Sequence, residues 1–329
     1  VSRYPKFDRS RISLKDLTQR QHDMHLDDVL PLVSPVEAYR HDELPQLVER
    51  IVAARRDSRP VILMMGAHPI KLGLSRYLID LVKRGLVTLV ATNGAGLIHD
   101  YELAWFGGTT ESVARYIRDG QFGLWSQTGR LNDLAREAAD RGEGMGETAG
   151  RTVGEERAPH ADVSLAAATW QAGVPLTVHV GIGNDIIHPH ANCDGGAWGA
   201  ASYTDFLIFA EEVTKLEGGV FLNVGTAVMG PEVYLKALSM ARNVAHQQGQ
   251  KIRDITTAVF DLIALPVNWR DGTPSKQTPH YYYRPWKTIL VRTVADGGTS
   301  YHFCGDHRQT IPTLWEALVS RAADEGAGD

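Results

Sequence analysis

Four times between residues 61 and 226 a short apolar run stops at a glycine and hands over to a helical pattern. The runs are Val61–Met65 before Gly66-Ala-His68, Leu86–Ala91 before Asn93-Gly-Ala-Gly96, Val174–Val180 before Gly181-Ile-Gly-Asn-Asp185, and Val220–Val224 before Gly225-Thr226. Continuous apolar character, rather than alternation, marks strands covered on both faces, which is the condition of strands in parallel sheets. Helical periodicity lies between the runs. Leu44, Leu47, Val48, Ile51 and Val52 share one side of a predicted helix over Leu44–Arg56, and Leu74, Leu78, Ile79, Leu81 and Val82 do so over Leu72–Gly85. Strand, helix and strand within about thirty residues pair in parallel through a right-handed crossover. The chain is therefore expected to fold as a single α/β domain over residues 35–329, doubly wound around a mostly parallel, Rossmann-like sheet.

The remaining segments extend this frame. Helices are predicted over Ser164–Gly173, Tyr203–Glu217, Pro231–Gln248 and Thr313–Ala323, with a further strand over Thr256–Leu262. Thr288–Val294 and Ser300–Phe303 read as two strands joined by an Asp-Gly-Gly turn, and Ala264–Pro285 as loop. Gly142-Glu-Gly-Met-Gly-Glu147 reads as a mobile loop between helices, since no strand directly precedes it. Residues 1–34 are polar and broken by prolines, and read as an arm with a short helix over Leu14–His22 that would wrap a neighbouring subunit.

A net charge of −5 argues against a nucleic-acid or anionic-membrane partner, either of which calls for a basic face. No run approaches the length of a membrane span, and two cysteines, Cys193 and Cys304, suit a reducing compartment. The expectation is a cytoplasmic protein with a small-molecule substrate.

In doubly wound sheets ligands bind beyond the C-terminal ends of the strands, so Gly66–His68 and Asn93–His99 should line one crevice. The turn at Asn93–Gly96 would present backbone N–H groups at a helix N-terminus, suited to an anion such as a dinucleotide phosphate, although ordinary strand-to-helix turns share this pattern. His99, one turn on, is an acid/base candidate or, with Asp100, a helix cap. His188, His190 and Cys193, with Asp185 and Asp194 close by, have donor atoms for a transition metal, but their spacing matches no established zinc motif, so no metal is assigned. Lys287 follows the aromatic run Tyr281–Trp286 and is either desolvated enough to act as a nucleophile or packed by its stem alone.

Taken in order, Gly66-Ala-His-Pro-Ile-Lys-Leu-Gly-Leu-Ser75, Asn93-Gly-Ala-Gly-Leu-Ile-His-Asp100, Asp185, Gly225-Thr226 and Gly305-Asp306 resemble deoxyhypusine synthase. The resemblance implies a Rossmann-like homotetramer that uses NAD to oxidise spermidine and carries the aminobutyl group as an imine on a lysine. By position it implies that His68, Asn93, Gly94, Ala95, Gly96, Asp185, Gly225, Thr226 and Asp306 contact NAD, with Asp185 and Asp306 on ribose hydroxyls. Lys287, in Trp286-Lys287, falls near the family's Trp-Gly-Lys after a shift. The amine half departs from the family. His99 stands where the family has a glutamate, and His190 where it has an aspartate. Met229-Gly230-Pro231 replaces Lys-His-His, and Leu265–Gly272 replaces an acidic stretch. Fewer carboxylates mean weaker attraction for a polyamine. The expectation is thus an NAD-dependent enzyme that moves hydride on a small hydroxyl- or amine-bearing metabolite, with Lys287, His99, His188 and His190 in catalysis. The alternatives are spermidine-dependent aminobutyl transfer and a metal-dependent hydrolase built on His188, His190 and Cys193.

Overall fold

The computed structural model describes residues 2–35 and 37–326, so the expected arm and domain extend at residues 1, 36 and 327–329 onto positions outside the described residues. Six strands form one sheet: β1 (Val61–Met65), β2 (Leu89–Asn93), β3 (Leu176–His179), β4 (Val220–Val224), β5 (Thr256–Asp261) and β6 (Thr299–Cys304). Their order is β3-β2-β1-β4-β5-β6, and every neighbouring pair is parallel. This is the doubly wound order, in which the direction of winding reverses between β1 and β4.

Helices cover both faces: α1 (Leu44–Arg56), α2 (Ser75–Lys83), α3 (Gly94–Phe106), α4 (Arg130–Arg141), α5 (Met145–Glu155), α6 (Leu165–Gln171), α7 (Gly195–Val213), α8 (Met229–Gln247) and α9 (His307–Gly326). Strand alternation divides the core. Val61, Leu63 and Met65 of β1 face a cluster with Ile51 of α1 and Leu314 of α9, whereas Ile62 and Met64 face Phe209 of α7 and Tyr234 of α8. No helix among the described residues is long and apolar enough to cross a membrane.

Several segments differ from the sequence reading. Thr288–Val294 is not a strand: Trp286–Arg292 is a π-helical segment tied to the sheet by Thr257 Oγ1 to the Ile289 carbonyl and Ser300 Oγ to the Leu290 carbonyl. A short apolar run has the same composition whether it pairs in a sheet or lies against one. Helix α7 begins eight residues before the predicted Tyr203, because Asp194 accepts from Gly196 N and Ala197 N and so starts a helix through glycines. The glycine segment 142–147 is a three-residue link leading into α5 rather than a mobile loop. A Cβ on Gly146 would sit 1.8 Å from the Leu176 carbonyl oxygen, and one on Gly150 2.4 Å from that of Ala166, so these glycines let α5 approach β3 and α6 closely. In the N-terminal segment the predicted helix is only a 3₁₀ turn, Leu17–Gln19, and Leu17, Met24 and Val29 are buried against the rest of the chain.

Candidate active site

The switch point between β1 and β4 brings two glycine turns into contact. A Cβ on Gly66 would lie 2.3 Å from the Gly225 carbonyl oxygen, while Gly225 itself adopts φ +58° with His307 Nε2 2.7 Å from where its Cβ would be. Both positions therefore exclude side chains, the second on conformational grounds as well. After Gly66 the chain makes a single helical turn, His68–Lys71, with Pro69 early in it where a missing N–H costs little.

This turn stands between two cavities. One, of about 220 Å³, is bordered by Lys71, Ala95, His99, Glu111 and Asp185, with Arg20 reaching in from the N-terminal segment. The other, of about 370 Å³, is bordered by His68, Gly225, Asp261, Asp306 and His307. Both lie beyond the C-terminal ends of the parallel strands.

At the first cavity Asn93 caps α3, its Oδ1 accepting from Gly96 N at 2.8 Å. Gly94 faces a side chain rather than empty space: a Cβ there would lie 2.2 Å from Asp185 Oδ2. Burial raises the Asp185 carboxyl to about 6. His188 braces this aspartate from behind. Its Nδ1 accepts from Gly183 N at 3.2 Å and Asp185 N at 3.1 Å, which places the proton of the neutral ring on Nε2, 3.9 Å from Asp185 Oδ2. His99 is also neutral, held at about 4 chiefly by burial.

Glu102, three residues beyond His99, is the most heavily hydrogen-bonded carboxylate near the cavity. It takes Arg20 on both oxygens at 2.9 and 2.7 Å, and the Thr109 and Thr128 hydroxyls at 2.6 Å each. Glu111 is occupied as well, accepting from Gly123 N and Trp125 Nε1 at 2.9 Å. In the second cavity Asp261 accepts from the Tyr283 hydroxyl at 2.8 Å, and Asp306 from Arg308 N at 2.8 Å. His307 Nδ1 is buried with no partner among the described residues.

The structure thus brings His68, Ala95, Asp185, Gly225, Asp306 and His99 to two adjoining cavities, with Asn93, Gly94, Gly96 and Thr226 forming the turns behind them. It does not bring His190, which is fully enclosed and directs Nε2 to the Gly123 carbonyl at 2.7 Å. Lys287 borders neither cavity; it is 4% exposed on the π-helical segment, with Nζ 3.8 Å from the centre of the Tyr281 ring. Asp100 turns away from the crevice and caps a different helix, accepting from Ser164 Oγ, Leu165 N and Ala166 N at the start of α6. Among the described residues no three His, Cys, Asp or Glu side chains are placed to share a metal ion, so the His188, His190 and Cys193 loop supplies no ligand set for the hydrolase alternative.

No family model matches the chain, and no curated protein sequence does. Solved structures with a similar course include ArgZ, an arginine dihydrolase from the ornithine–ammonia cycle in cyanobacteria. It is 14% identical over 86% of this chain, with a TM-score of 0.48. A LOR/SDH protein from Methanococcus maripaludis is 13% identical over 89% of this chain and 74% of its own, at 0.47. A protein from Entamoeba histolytica described as a deoxyhypusine synthase is 7% identical over 87% and 97%, at 0.43. The chain spans 33% of the length of ArgZ.

Sequence reasoning missed Arg20, Lys71, Glu102, Thr109 and His307 as parts of the site. Glu102 carried a readable signal, since it follows His99 by three residues on a predicted helix and so shares its face. Thr109 and Arg20 carried none, because only the fold returns them to α3.

Proposed function

We propose that this chain is an NAD-dependent enzyme that takes hydride from a carbon bearing a hydroxyl or amine on a small polar metabolite. The observation that carries the reading is the switch point itself. In the order β3-β2-β1-β4-β5-β6, two touching glycine turns lie between cavities furnished with carboxylates, at the end of the sheet where such folds bind dinucleotides. The residues fit the cofactor in a specific sense. Because Asp185 fills the space over Gly94, that turn offers a carboxylate for ribose hydroxyls, as Asp306 does in the second cavity. The turn Gly225–Thr226, with His68 beside it, would hold the phosphates, since the Asp185 carboxylate occupies the approach to Gly94. Bound NAD supplies the hydride acceptor, and the chain supplies orientation and proton handling. Lys71 makes no ion pair among the described residues and is the cation left to meet an acidic group of the metabolite.

Titration with NAD, followed by calorimetry and by thermal stabilisation, is expected to show saturable binding. Asp185→Ala and Asp306→Ala are each expected to weaken it by about tenfold, the loss of one charge-assisted pair. Absence of binding by both methods overturns the reading.

A second reading, polyamine transfer through an imine on Lys287, has one observation in its favour: this ammonium is nearly buried and faces a ring rather than a carboxylate. It requires that spermidine be consumed and that Lys287→Arg abolish consumption. A chain that leaves spermidine untouched in the presence of NAD removes it.

A further inference from the structure

After α3 the chain passes through the left-handed turn at Gly107 and folds back, so that the Thr109 hydroxyl lies between two side chains of that helix. It is 2.6 Å from Glu102 Oε2 and 2.8 Å from His99 Nδ1. Glu102, gripped by Arg20 on both oxygens, is an ionised carboxylate and can only accept. The single proton of Thr109 therefore goes to Glu102. What remains toward His99 is an oxygen lone pair, so His99 must donate from Nδ1, and a neutral ring protonated there carries its lone pair on Nε2. Among the described residues that nitrogen has no hydrogen-bond partner, and the ring borders the cavity of about 220 Å³.

We propose that His99 Nε2 receives the hydroxyl proton of a small alcohol bound in this cavity, and that Thr109 and Glu102 are positioning residues that fix the ring in the accepting tautomer. The choice of redox partner rests on the NAD reading above; the tautomer does not. When the alcohol is oxidised its O–H proton goes to Nε2, the adjacent C–H hydrogen leaves with its electron pair to the oxidised nicotinamide, and a carbonyl remains. The imidazolium keeps its Nδ1–H bond to Thr109, whose hydroxyl bridges it to the Glu102 charge. Among the groups facing the ring, Arg20, Lys71 and His68 oppose protonation and Glu102 favours it, while Asp185 and Glu111 line the same cavity; burial, the largest influence, acts with the cations and outweighs Glu102. The ring therefore waits uncharged through the neutral range.

The tautomer is directly observable. In the full chain with histidine nitrogens labelled, and with no ligand added, nitrogen-15 NMR is expected to show His99 protonated at Nδ1, bare at Nε2, and still neutral at pH 5. The resonance is assigned by its loss in His99→Gln. Thr109→Val is expected to move the proton to Nε2, and Thr109→Ser to restore the wild-type pattern. Diethylpyrocarbonate, which attacks an accessible unprotonated ring nitrogen, is expected to modify His99 in the wild type and the serine variant but to lose that reaction in the valine variant. Propan-2-ol is expected to shift the Nε2 resonance of His99 and leave that of enclosed His188 unmoved. A wild-type ring protonated at Nε2 overturns the proposal, as does a tautomer indifferent to Thr109→Val or a His99 resonance blind to the alcohol. If Thr109→Val does not fold, the wild-type and serine spectra decide. A protein that shows the expected tautomer and alcohol response but binds no NAD refutes the cofactor reading alone.

Discussion

Asp205→Asn is expected to make the protein more stable than wild type at pH 8 to 9 and to remove the share of the pH dependence between 4 and 8 that Asp205 contributes. Asp205 lies on α7 with no exposed surface and faces the outer edge of β3, where Oδ2 accepts from Val178 N at 3.0 Å and Gly146 N at 3.2 Å. It thereby closes the open side of the sheet and caps the start of α5, both places where backbone donors would otherwise lie buried without acceptors. Burial raises its carboxyl from 3.8 to about 8, the backbone donors opposing only in part, and Oδ1 has no partner among the described residues. The folded state thus binds the proton more tightly than the unfolded state. The stability this contributes is complete below about pH 4 and is lost as the pH rises toward 8. Asparagine keeps an oxygen for the two N–H groups and cannot ionise. The gain at high pH should be on the order of 2 kcal/mol, below what the full shift would give, because one amide N–H takes the place of the orphaned oxygen. Urea unfolding at pH 5 and pH 8.5 measures it. Parallel pH dependence in variant and wild type would show that Asp205 is not the titrating group.

The largest loss is expected from Asp100→Ala. This side chain joins α3, the helix that carries His99, to the first turn of α6 through Ser164 Oγ and Leu165 N, each at 2.6 Å, and Ala166 N at 3.2 Å. Alanine leaves three donors buried without an acceptor, at about 1–3 kcal/mol each before relaxation, so a net loss of about 3 kcal/mol is expected at pH 7. Burial already raises this carboxyl to about 6, which offsets part of its value in the ionised form. The same titration predicts that wild-type stability falls as the pH rises from about 4 through 6, and that the alanine variant lacks this component. Denaturant midpoints at pH 5 and 7 test both statements, and a loss under 1 kcal/mol would mean that water satisfies the α6 terminus.

His99 and Asp100 show where reading from sequence stops. The two residues are adjacent on one predicted helix, and either could serve a crevice or a cap. The fold separates them: His99 borders a cavity, while Asp100, about a hundred degrees further round α3, meets α6. Likewise the pattern His188-Pro-His190 suggested one cluster, yet His188 braces Asp185 and His190 bonds to the Gly123 carbonyl. Residues two apart in a loop have no fixed relation until the backbone between them is set. Lys287 was legible as a lysine among aromatic residues and is indeed nearly buried, but burial and access to a substrate are different properties.

The glycines divide in the same way. Gly66, Gly94 and Gly225 marked strand ends correctly from local pattern alone. What each glycine makes room for is another part of this chain: the Gly225 carbonyl, the Asp185 carboxylate and the His307 ring respectively. Gly146 looked like a loop residue because glycine disfavours helices, whereas close packing against β3 overrides that preference.

Periodicity and strand-ending glycines by themselves determined the α/β class, most of the strands and the end of the sheet at which the two cavities open, because burial on two faces and parallel crossover are local or nearly local constraints. Only the tertiary structure decided the strand order, the helical state of Thr288–Val294 and the grouping of Arg20, Glu102, Thr109 and His99. These depend on contacts between residues far apart in the chain, and on which of several chemically equivalent partners the packing brings within hydrogen-bond reach.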